Sequence, residues 1–404
     1  MSTLCKNCAA PIVFDPKSQR VVCHSCDSSF DPQTVDVHEE FPDLQKVDED
    51  KAHLDDLYKQ FMACRVYTCQ SCGGEIFIHG SEASTKCIYC GTSSVNFSHI
   101  SREKAPDLII PFKVTKGEAV TNIKKAMKHR PFIPKAIKHI EPSIVRGIYV
   151  PFKIVNGTHF EAAIIENQIG YGDNSKTIYS IRSGIMNLKN LPVDASVILS
   201  DESSQRLEPY NLLDAKPFKE SYLLGFYSNA SDISDETLQQ AANVRGVNAF
   251  NSQAKKMVDG HDARVLHCEY ETYVDKNNIK YALFPVWFVT YFYNGQHNTI
   301  MVNGQTGKVV CGLPWNEPMV KSIHFGLSAL LTILLGIGYH ALLASEGAPK
   351  DLSDGQKMLG IILFPTIFGM FVWILGQMKM KKVRKQLDLT QATSIYNFTK
   401  KRQE

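Results

Sequence analysis

Two cysteine quartets with one spacing stand in the first quarter of the chain, and they constrain the fold more than any other feature. Each quartet consists of two Cys-x-x-Cys pairs separated by fourteen residues. Four thiolates complete a tetrahedral shell around Zn²⁺, and a spacer of this length accommodates a β-hairpin. The repeat therefore predicts two zinc ribbons, each holding one structural Zn²⁺. The expected ligands are Cys5, Cys8, Cys23 and Cys26 in the first ribbon and Cys69, Cys72, Cys87 and Cys90 in the second.

The cysteines leave two alternative interpretations open. Tetrahedral sulfur suits iron as well as zinc, so the spacing alone does not choose the metal. Cys-x-x-Cys also serves as a redox dithiol, although pairs that come in fours with hairpin spacers favour closed metal sites. The other cysteines (Cys64, Cys268 and Cys311) are expected to be small buried apolar side chains. His24 and His79 are expected to be surface residues beside complete ligand shells.

Charge patterning bears on the kind of partner. The formal net charge of +3 is close to neutral and names no partner by itself. Phosphate contact needs a concentrated basic face, and the first ribbon has none, because Asp15 and Asp27 oppose its basic residues. Between the ribbons, residues 33–63 combine helical spacing with many acidic side chains, which predicts an acidic helical linker. Protein docking is favoured, and nucleic-acid binding stays the alternative.

Residues 101–318 have the composition of an ordinary folded domain. Thr115 and Glu118 have the spacing of a capping box, which predicts a helix, and a second helical pattern follows residue 234. Two similar strand-rich stretches each contain Asn-Gly, a dipeptide typical of hairpin turns, at 156–157 and 294–295. We expect an α+β domain with two related β-hairpin halves. Since no phosphate-binding loop, nucleophile elbow or zinc-protease motif occurs, the chain is predicted not to be an enzyme.

Two long apolar runs, 319–344 and 358–378, lie near the C-terminus. Each is long enough to cross a bilayer as a helix, so they predict a transmembrane hairpin. The loop at 345–357 carries more acidic than basic residues, whereas the tail at 379–404 opens with a basic cluster. The positive-inside rule places the loop outside and both termini in the cytoplasm of a multi-pass cell-membrane protein, plasma or inner membrane. No secretory signal peptide is visible at the N-terminus.

The sequence thus predicts an α+β multidomain chain with two zinc ribbons, a mixed domain with β-hairpins and a transmembrane helical hairpin. The expected boundaries are 1–32 for the first ribbon, 33–63 for the linker, 64–100 for the second ribbon, 101–318 for the α+β domain, 319–344 and 358–378 for the two spans, 345–357 for the extracytoplasmic loop and 379–404 for the basic tail.

The chain resembles a family of bacterial membrane proteins described as TFIIB-type zinc-ribbon-containing. The resemblance rests on the two quartets, the terminal apolar pair and stretches such as "LIIPFKVTKGEAV", "GIYVPFKIVNG" and "YALFPVWFVTYFYNGQHNTIMVNGQTGKVVCGLP". One departure is Asp27, which stands where the second quartet is followed by Gly91. Some family members resemble components of membrane-stress systems that work beside phage-shock protein A type and SPFH-domain proteins, which the resemblance implies as partners here.

The resulting functional prediction is a membrane-anchored zinc-ribbon adaptor that docks protein partners at the cytoplasmic face of the bilayer. The alternative is a membrane-tethered regulator that binds nucleic acid through its ribbons. Salt dependence separates the two, because several phosphate contacts make binding fall steeply with salt.

Overall fold

The computed structural model describes residues 4–35, 61–70, 75–78, 87, 95–128, 145–196, 201–229, 231, 233–293, 296–311, 317–344, 363, 365–378 and 380–381. Over these residues the architecture is mixed α+β. The strands are β1 (Ile12–Asp15), β2 (Arg20–Cys23), β3 (Ser29–Phe30), β4 (Phe61–Cys69), β5 (Glu75–Ile78), β6 (Val95–Lys104), β7 (Leu108–Ile109), β8 (Val145–Ile169), β9 (Lys176–Asp194), β10 (Lys216–Pro217), β11 (Tyr227–Ser228), β12 (His261–Val274), β13 (Lys280–Tyr293), β14 (Gln296–Asn303) and β15 (Val309–Cys311). The helices are α1 (Lys116–Lys128), α2 (Asp201–Leu207), α3 (Asp235–Lys256), α4 (Glu317–Ala344) and α5 (Pro365–Met378).

β1, β2 and β3 form a small antiparallel sheet at the N-terminal end of the chain. Ile12 lies opposite Cys23, and Asp15 lies opposite Arg20, so β1 and β2 make a tight hairpin. The Asp15 carboxylate accepts hydrogen bonds from the Ser18 N–H at 2.9 Å and the Ser18 hydroxyl at 2.6 Å, which fix the turn. This hairpin occupies the spacer between the first two cysteine pairs, and we call residues 4–35 the ribbon.

β8 is the axis of a twelve-stranded sheet. Its first half pairs antiparallel with β13, and its second half lies between β9 and β12. The two stretches that look alike in sequence are thus neighbours, with Tyr149 opposite Pro285 and Pro151 opposite Leu283. β4, β5 and β6 join the same sheet through β11. The strands around the second cysteine quartet therefore continue the sheet of the middle domain.

The hairpin turn predicted at Asn156–Gly157 is wrong. β8 runs without interruption from Val145 to Ile169, and this dipeptide lies inside it. The register against β9 shifts between Val155 and Gly157, so the backbone forms a β-bulge there. A Cβ atom on residue 157 would collide with the carbonyl oxygen of Tyr273 in β12. Glycine at this position therefore permits the close approach of two strands and does not serve a turn.

The second Asn-Gly pair has a different setting. β13 ends at Tyr293 and β14 begins at Gln296, and these two residues pair with each other. Residues 294–295 thus connect two antiparallel strands, although they lie outside the described residues. Likewise, residues 33–63 fall mainly outside the description, and the last three residues of the expected linker belong to β4.

Both helices predicted for the middle domain are confirmed. At the start of α1, the Glu118 carboxylate accepts the Thr115 N–H at 2.8 Å, while the Thr115 hydroxyl accepts the Glu118 N–H at 3.3 Å. This reciprocal pair is the predicted capping box. α3 begins after Ser234, whose hydroxyl accepts the Thr237 N–H at 3.2 Å.

The ribbon shares one apolar core with the large sheet. The Phe14 ring meets the Tyr222 ring edge-on, with centroids 5.2 Å apart, and the Phe14 N–H donates to the Leu224 carbonyl oxygen at 3.0 Å. The Gln19 side-chain amide donates to the Phe112 carbonyl oxygen at 2.6 Å. The apolar face of the ribbon is therefore covered by the α+β domain.

The second half of β8 forms a three-stranded layer with β9 and β12, which together with α3 we call the arm. α3 packs across one face of this layer. Odd-numbered β8 residues from His159 to Asn167 are buried on that face, where Ala254 of the helix packs with Ala163 and Ile165. Leu238 of the helix packs with Val155, nearer the middle of β8. Even-numbered residues lie on the opposite face, because successive side chains of a strand alternate.

α4 is the candidate membrane-spanning helix of the described chain. Its stretch Met319–Gly338 has a mean hydropathy of 1.7 over 20 residues, and 6% of it is buried within the protein. The shorter apolar helix α5 packs antiparallel against α4, since Gly376 faces His324 and Gly369 faces Thr332 further along α4. The Trp373 ring stacks on the His324 ring with centroids 5.3 Å apart.

Candidate functional site

Four sulfur atoms converge at one end of the ribbon. The Sγ atoms of Cys5, Cys8, Cys23 and Cys26 all lie within 4.8 Å of one another. Cys5 and Cys26 are 3.6 Å apart, and Cys8 and Cys23 are 3.4 Å apart. A tetrahedral site with Zn–S bonds near 2.3 Å requires sulfurs about 3.8 Å apart. This cluster can therefore hold a metal ion with only small adjustments.

Local backbone geometry aims the sulfurs inwards. Ala9 and Asp27, which each follow the second cysteine of a pair, adopt left-handed conformations with φ of 57° and 54°. Asp27 thus takes the left-handed conformation that glycine adopts easily. The turn after Cys26 therefore forms even though it has Asp27 where the second quartet is followed by Gly91. The Asn7 N–H donates to the Cys5 sulfur at 3.4 Å. Its side-chain amide donates to the Ser28 hydroxyl at 2.7 Å, which ties the two cysteine pairs together.

The thiols of the cluster differ strongly in acidity. The Ser28 hydroxyl lies 3.1 Å from the Cys26 sulfur, and it lowers the pKa of the Cys26 thiol to about 6. The Ala10 amide lowers the pKa of Cys8, but the thiols of Cys26 and Cys23 outweigh it and raise this pKa to about 12. A metal ion must therefore displace protons when it binds, as thiolates are its ligands.

The structure describes two of the four cysteines of the second quartet. Cys69 ends β4, and Cys69 and Cys87 are both buried in an apolar cluster with Ile76 and Ile148. Cys72 and Cys90 lie outside the described residues. The prediction of a second metal site therefore stays a prediction.

The arm carries an exposed apolar surface that the sequence analysis missed. Ile185 lies opposite Phe160, and Ile181 lies opposite Ile164, all on the layer face away from α3. Ile181 is 70% exposed and Ile185 is 68% exposed. Tyr273 of β12 extends this row, with its ring edge-on to Phe160 at 6.0 Å. We call Phe160, Ile164, Ile181, Ile185 and Tyr273 the open face.

Acidic side chains border the open face on β12. Glu271 lies opposite Phe160, and Glu269 lies opposite Ala162. The Glu269 side chain is 87% exposed. Glu271 raises the pKa of Tyr273, because its carboxylate accepts a hydrogen bond from the phenol and repels the phenolate. The arm therefore presents apolar side chains beside negative charge.

The opposite face of the arm buries a polar pair. His159 Nε2 lies 2.7 Å from the Glu161 carboxylate, and His159 Nδ1 lies 2.8 Å from the Thr272 hydroxyl. Both side chains are fully buried under α3, where Gly246 lies against the imidazole ring. Alternation along β8 places these residues on one face, but only the position of α3 reveals their burial. The sequence pattern alone does not predict this pair.

Comparisons with known proteins find a distant relative but do not indicate a function. No family model matches the chain, and no solved structure matches it. The chain is 26% identical over 259 residues to the uncharacterized protein YdjG of Bacillus subtilis (strain 168). That alignment covers 59% of this chain and 75% of YdjG, so the chain is similar to a bacterial protein over more than half of its length.

Proposed function

We propose that the chain is a membrane-anchored zinc-ribbon adaptor that docks a protein partner at the cytoplasmic face of the cell membrane. The open face of the arm is the observation that carries this proposal. The ribbon supports it as a metal-stapled structural element, and α4 supports it as an anchor. The adaptor is proposed to act by binding and not by catalysis.

Zinc is the metal proposed for both cysteine quartets. Four thiolates form a closed shell without an open position for water or substrate, which suits a structural Zn²⁺ ion. The sulfur separations of 3.4 and 3.6 Å in the first cluster are close to that geometry. Cys69, Cys72, Cys87 and Cys90 are proposed to hold the second ion, because they repeat the spacing of the first quartet.

A transmembrane hairpin is proposed for the C-terminal region. The antiparallel packing of α5 on α4 supports it, since glycines at the contact allow two membrane helices to approach closely. The acidic loop at 345–357 and the basic residues after 378 favour an extracytoplasmic loop with both termini inside. The basic tail is then positioned to contact anionic lipid headgroups.

The open face is proposed as the docking surface for a protein that presents apolar residues flanked by basic ones. Ile181 and Ile185 supply apolar area in a region whose other face is already buried under α3. Glu269 and Glu271 supply negative charge, which disfavours nucleic acid and favours basic side chains. A membrane-stress protein of the phage-shock or SPFH type is the partner class that the family resemblance suggests.

Site-specific photocrosslinking in cells tests this proposal. A photoreactive amino acid replaces Ile181 in the full chain, and a matched variant carries it at Leu213, a 91% exposed leucine outside the arm. We expect a protein adduct from position 181 alone, and we expect Ile185→Asp to abolish it. The captured protein must present a basic and apolar surface.

Three outcomes would overturn the docking proposal. Equal adducts from positions 181 and 213 would show unspecific contact. Adducts to a second copy of the chain would make the open face a self-association surface. Adducts that nuclease treatment removes would favour the alternative, a membrane-tethered nucleic-acid-binding regulator.

A further inference from the structure

A groove of about 710 Å³ lies between α4 and α5, at one end of this helical pair. Its walls come from the first two turns of α4, from the last two turns of α5 and from the chain just beyond α5. The volume falls within the range of about 300–1,000 Å³ that is typical of ligand sites. The ribbon and the arm contribute no described residue to the groove, so it is separate from both.

The walls of the groove are mostly apolar. Five apolar side chains line it: Val320, Val372, Leu375, Met378 and Met380. Leu375 is 45% exposed and Met378 is 63% exposed, so the described chain leaves this surface open. Because lipid tails are as apolar as leucine, an open apolar groove between two membrane helices suits an acyl chain.

Aromatic rings hold the two helices together beside the groove. The Trp373 ring of α5 stacks on the His324 imidazole of α4, and the Phe325 ring meets it edge-on at 5.8 Å. Gly376 lies against the same imidazole, where a Cβ atom would collide with it. Tryptophan is enriched at the depth where lipid headgroups meet acyl chains. The groove therefore lies at a headgroup end of the proposed hairpin.

Positive charge is concentrated at this end of the helical pair. Lys381 follows the last lining residue directly, and it is exposed. The stretch 379–385 contains no acidic residue, and its basic residues are Lys379, Lys381, Lys382, Arg384 and Lys385. A basic residue close to the membrane surface adds about 1 kcal/mol of attraction to anionic lipid. The groove and this charge match the acyl chain and the headgroup of an anionic phospholipid.

We propose that the groove binds one anionic phospholipid, with an acyl chain between α4 and α5 and the headgroup beside Lys381 and the basic stretch 379–385. This inference rests on the transmembrane hairpin of the proposed function. It differs from a general attraction of the basic tail to the membrane, because it predicts a saturable site that holds one lipid per chain. The lipid fills the space that the side chains leave open between the two helices.

Native mass spectrometry of the full chain tests the proposal. The protein is stripped of lipid in detergent micelles and titrated with phosphatidylglycerol, and in parallel with phosphatidylcholine that carries the same acyl chains. We expect one phosphatidylglycerol to stay bound per chain and phosphatidylcholine to bind about fivefold more weakly or worse. Phosphatidylglycerol should also raise Tm more than phosphatidylcholine does, since a ligand that prefers the folded state stabilises it.

Substitutions locate the bound lipid. Leu375→Trp fills the groove, so we expect this variant to lose the retained lipid. Met370→Trp is the matched control, because Met370 is 67% exposed on α5 and does not line the groove, and it should keep the lipid. Lys381→Gln should weaken phosphatidylglycerol binding about fivefold and leave phosphatidylcholine binding unchanged. Lys256→Gln, at an exposed lysine of the arm, should bind both lipids like the wild type.

Alkaline extraction of cell membranes separates this inference from the proposed anchor. If the chain leaves the membrane at high pH, the transmembrane hairpin is wrong, and the lipid site is wrong with it. If the chain stays in the membrane but both lipids bind equally, or Leu375→Trp binds lipid like the wild type, the lipid site is wrong and the anchor stands. A second copy of the chain bound in place of the lipid would make the groove a helix-packing surface and would also overturn the proposal.

Discussion

The ribbon and the arm both contain a small antiparallel layer of three strands, but the apolar face of the ribbon is buried whereas one apolar face of the arm is exposed. The ribbon presses Phe14 into the core around Phe112 and Tyr222, so its apolar face is used within the chain. The arm covers one face with α3 and leaves Ile181 and Ile185 exposed on the other. An apolar side chain that is buried stabilises the fold, whereas an exposed one is available to a partner.

This difference is the reason for placing the proposed docking surface on the arm. The sequence placed that surface on the ribbons, because two metal-stapled modules at one end of a chain suggest a separate head. The ribbon's Phe14 packs in one apolar core with Leu224 and Phe112, so its apolar face is already covered within the chain. The arm offers the alternative surface, and the predictions that follow compare the two regions.

The largest expected effect is the loss of a ribbon ligand. Cys5→Ser removes a buried cysteine of the proposed metal site, so we expect the protein to lose one metal equivalent and the ribbon to unfold. Structural zinc in finger peptides is worth about 10–16 kcal/mol, and the destabilisation should exceed that of any single core truncation. Metal analysis and hydrogen exchange measure the result, with rapid exchange expected in the ribbon and little change in the arm.

Cys268→Ser is the matched control for that experiment. Cys268 is a cysteine of the arm and no part of either quartet, so its replacement should leave the metal content unchanged. If Cys5→Ser retained all its metal, or if ribbon and arm lost protection together, the separation between the two regions would be wrong.

The next prediction contrasts a buried ring with an exposed isoleucine. Phe112 is fully buried and lies 4.3 Å from Phe226 and 4.8 Å from Trp287 between ring centroids. Phe112→Ala should therefore lower the free energy of unfolding by about 3–5 kcal/mol. Ile181→Ala should change it by less than about 0.5 kcal/mol, because the side chain is 70% exposed. Denaturant titration in micelles measures both values, and a large loss for Ile181→Ala would show that the open face is covered in the native protein.

A third prediction concerns the packing of α3 on the three strands of the arm. A Cβ atom on residue 246 would lie 2.6 Å from His159 Nδ1, and that ring is held by Glu161 and Thr272. Gly246→Ala should therefore push α3 away and destabilise the arm by about 1–3 kcal/mol. Gly117→Ala in α1 is the control, since its Cβ meets nothing within 4 Å and helix propensity favours alanine. Thermal unfolding should give opposite signs for the two variants, and a stabilised Gly246→Ala would refute the tight packing of α3.

Local signals explain what the sequence could predict. The first quartet depends on two turns and one hairpin within 22 residues, from Cys5 to Cys26, and all four sulfurs converge as expected. The capping box of Thr115 and Glu118 is equally local, and it forms. Such features need no knowledge of distant residues, because their partners lie a few positions away along the chain.

Long-range pairing explains what the sequence could not predict. Asn156–Gly157 has the composition of a turn, but its setting is decided by Tyr273, more than a hundred positions later. The alternation of Phe160 and Ile164 with buried neighbours does not say which face a helix covers. The contact between ribbon and domain likewise joins Gln19 to Phe112 across 93 positions. These features follow from tertiary structure, and no local pattern encodes them.

The smallest expected effects come from removing the N-terminal caps of two helices. Thr115→Ala removes the cap of α1 beside the ribbon, and Ser234→Ala removes the cap of α3 on the arm. Each should cost about 1 kcal/mol. The Thr115 amide and hydroxyl lower the pKa of Glu118 in the folded state, so this stabilisation is present above the unfolded pKa and is lost as the pH falls through the folded pKa.

The difference between wild type and Thr115→Ala should therefore be larger at neutral pH than at about pH 3. Hydrogen exchange followed by region makes the measurement specific to each helix. If ribbon and arm are separate cooperative units, Thr115→Ala will increase exchange near α1 and Ser234→Ala will increase it in the arm alone. If both caps raise exchange everywhere by the same factor, the chain unfolds as one unit, and β8, which runs through the core and the arm, couples them.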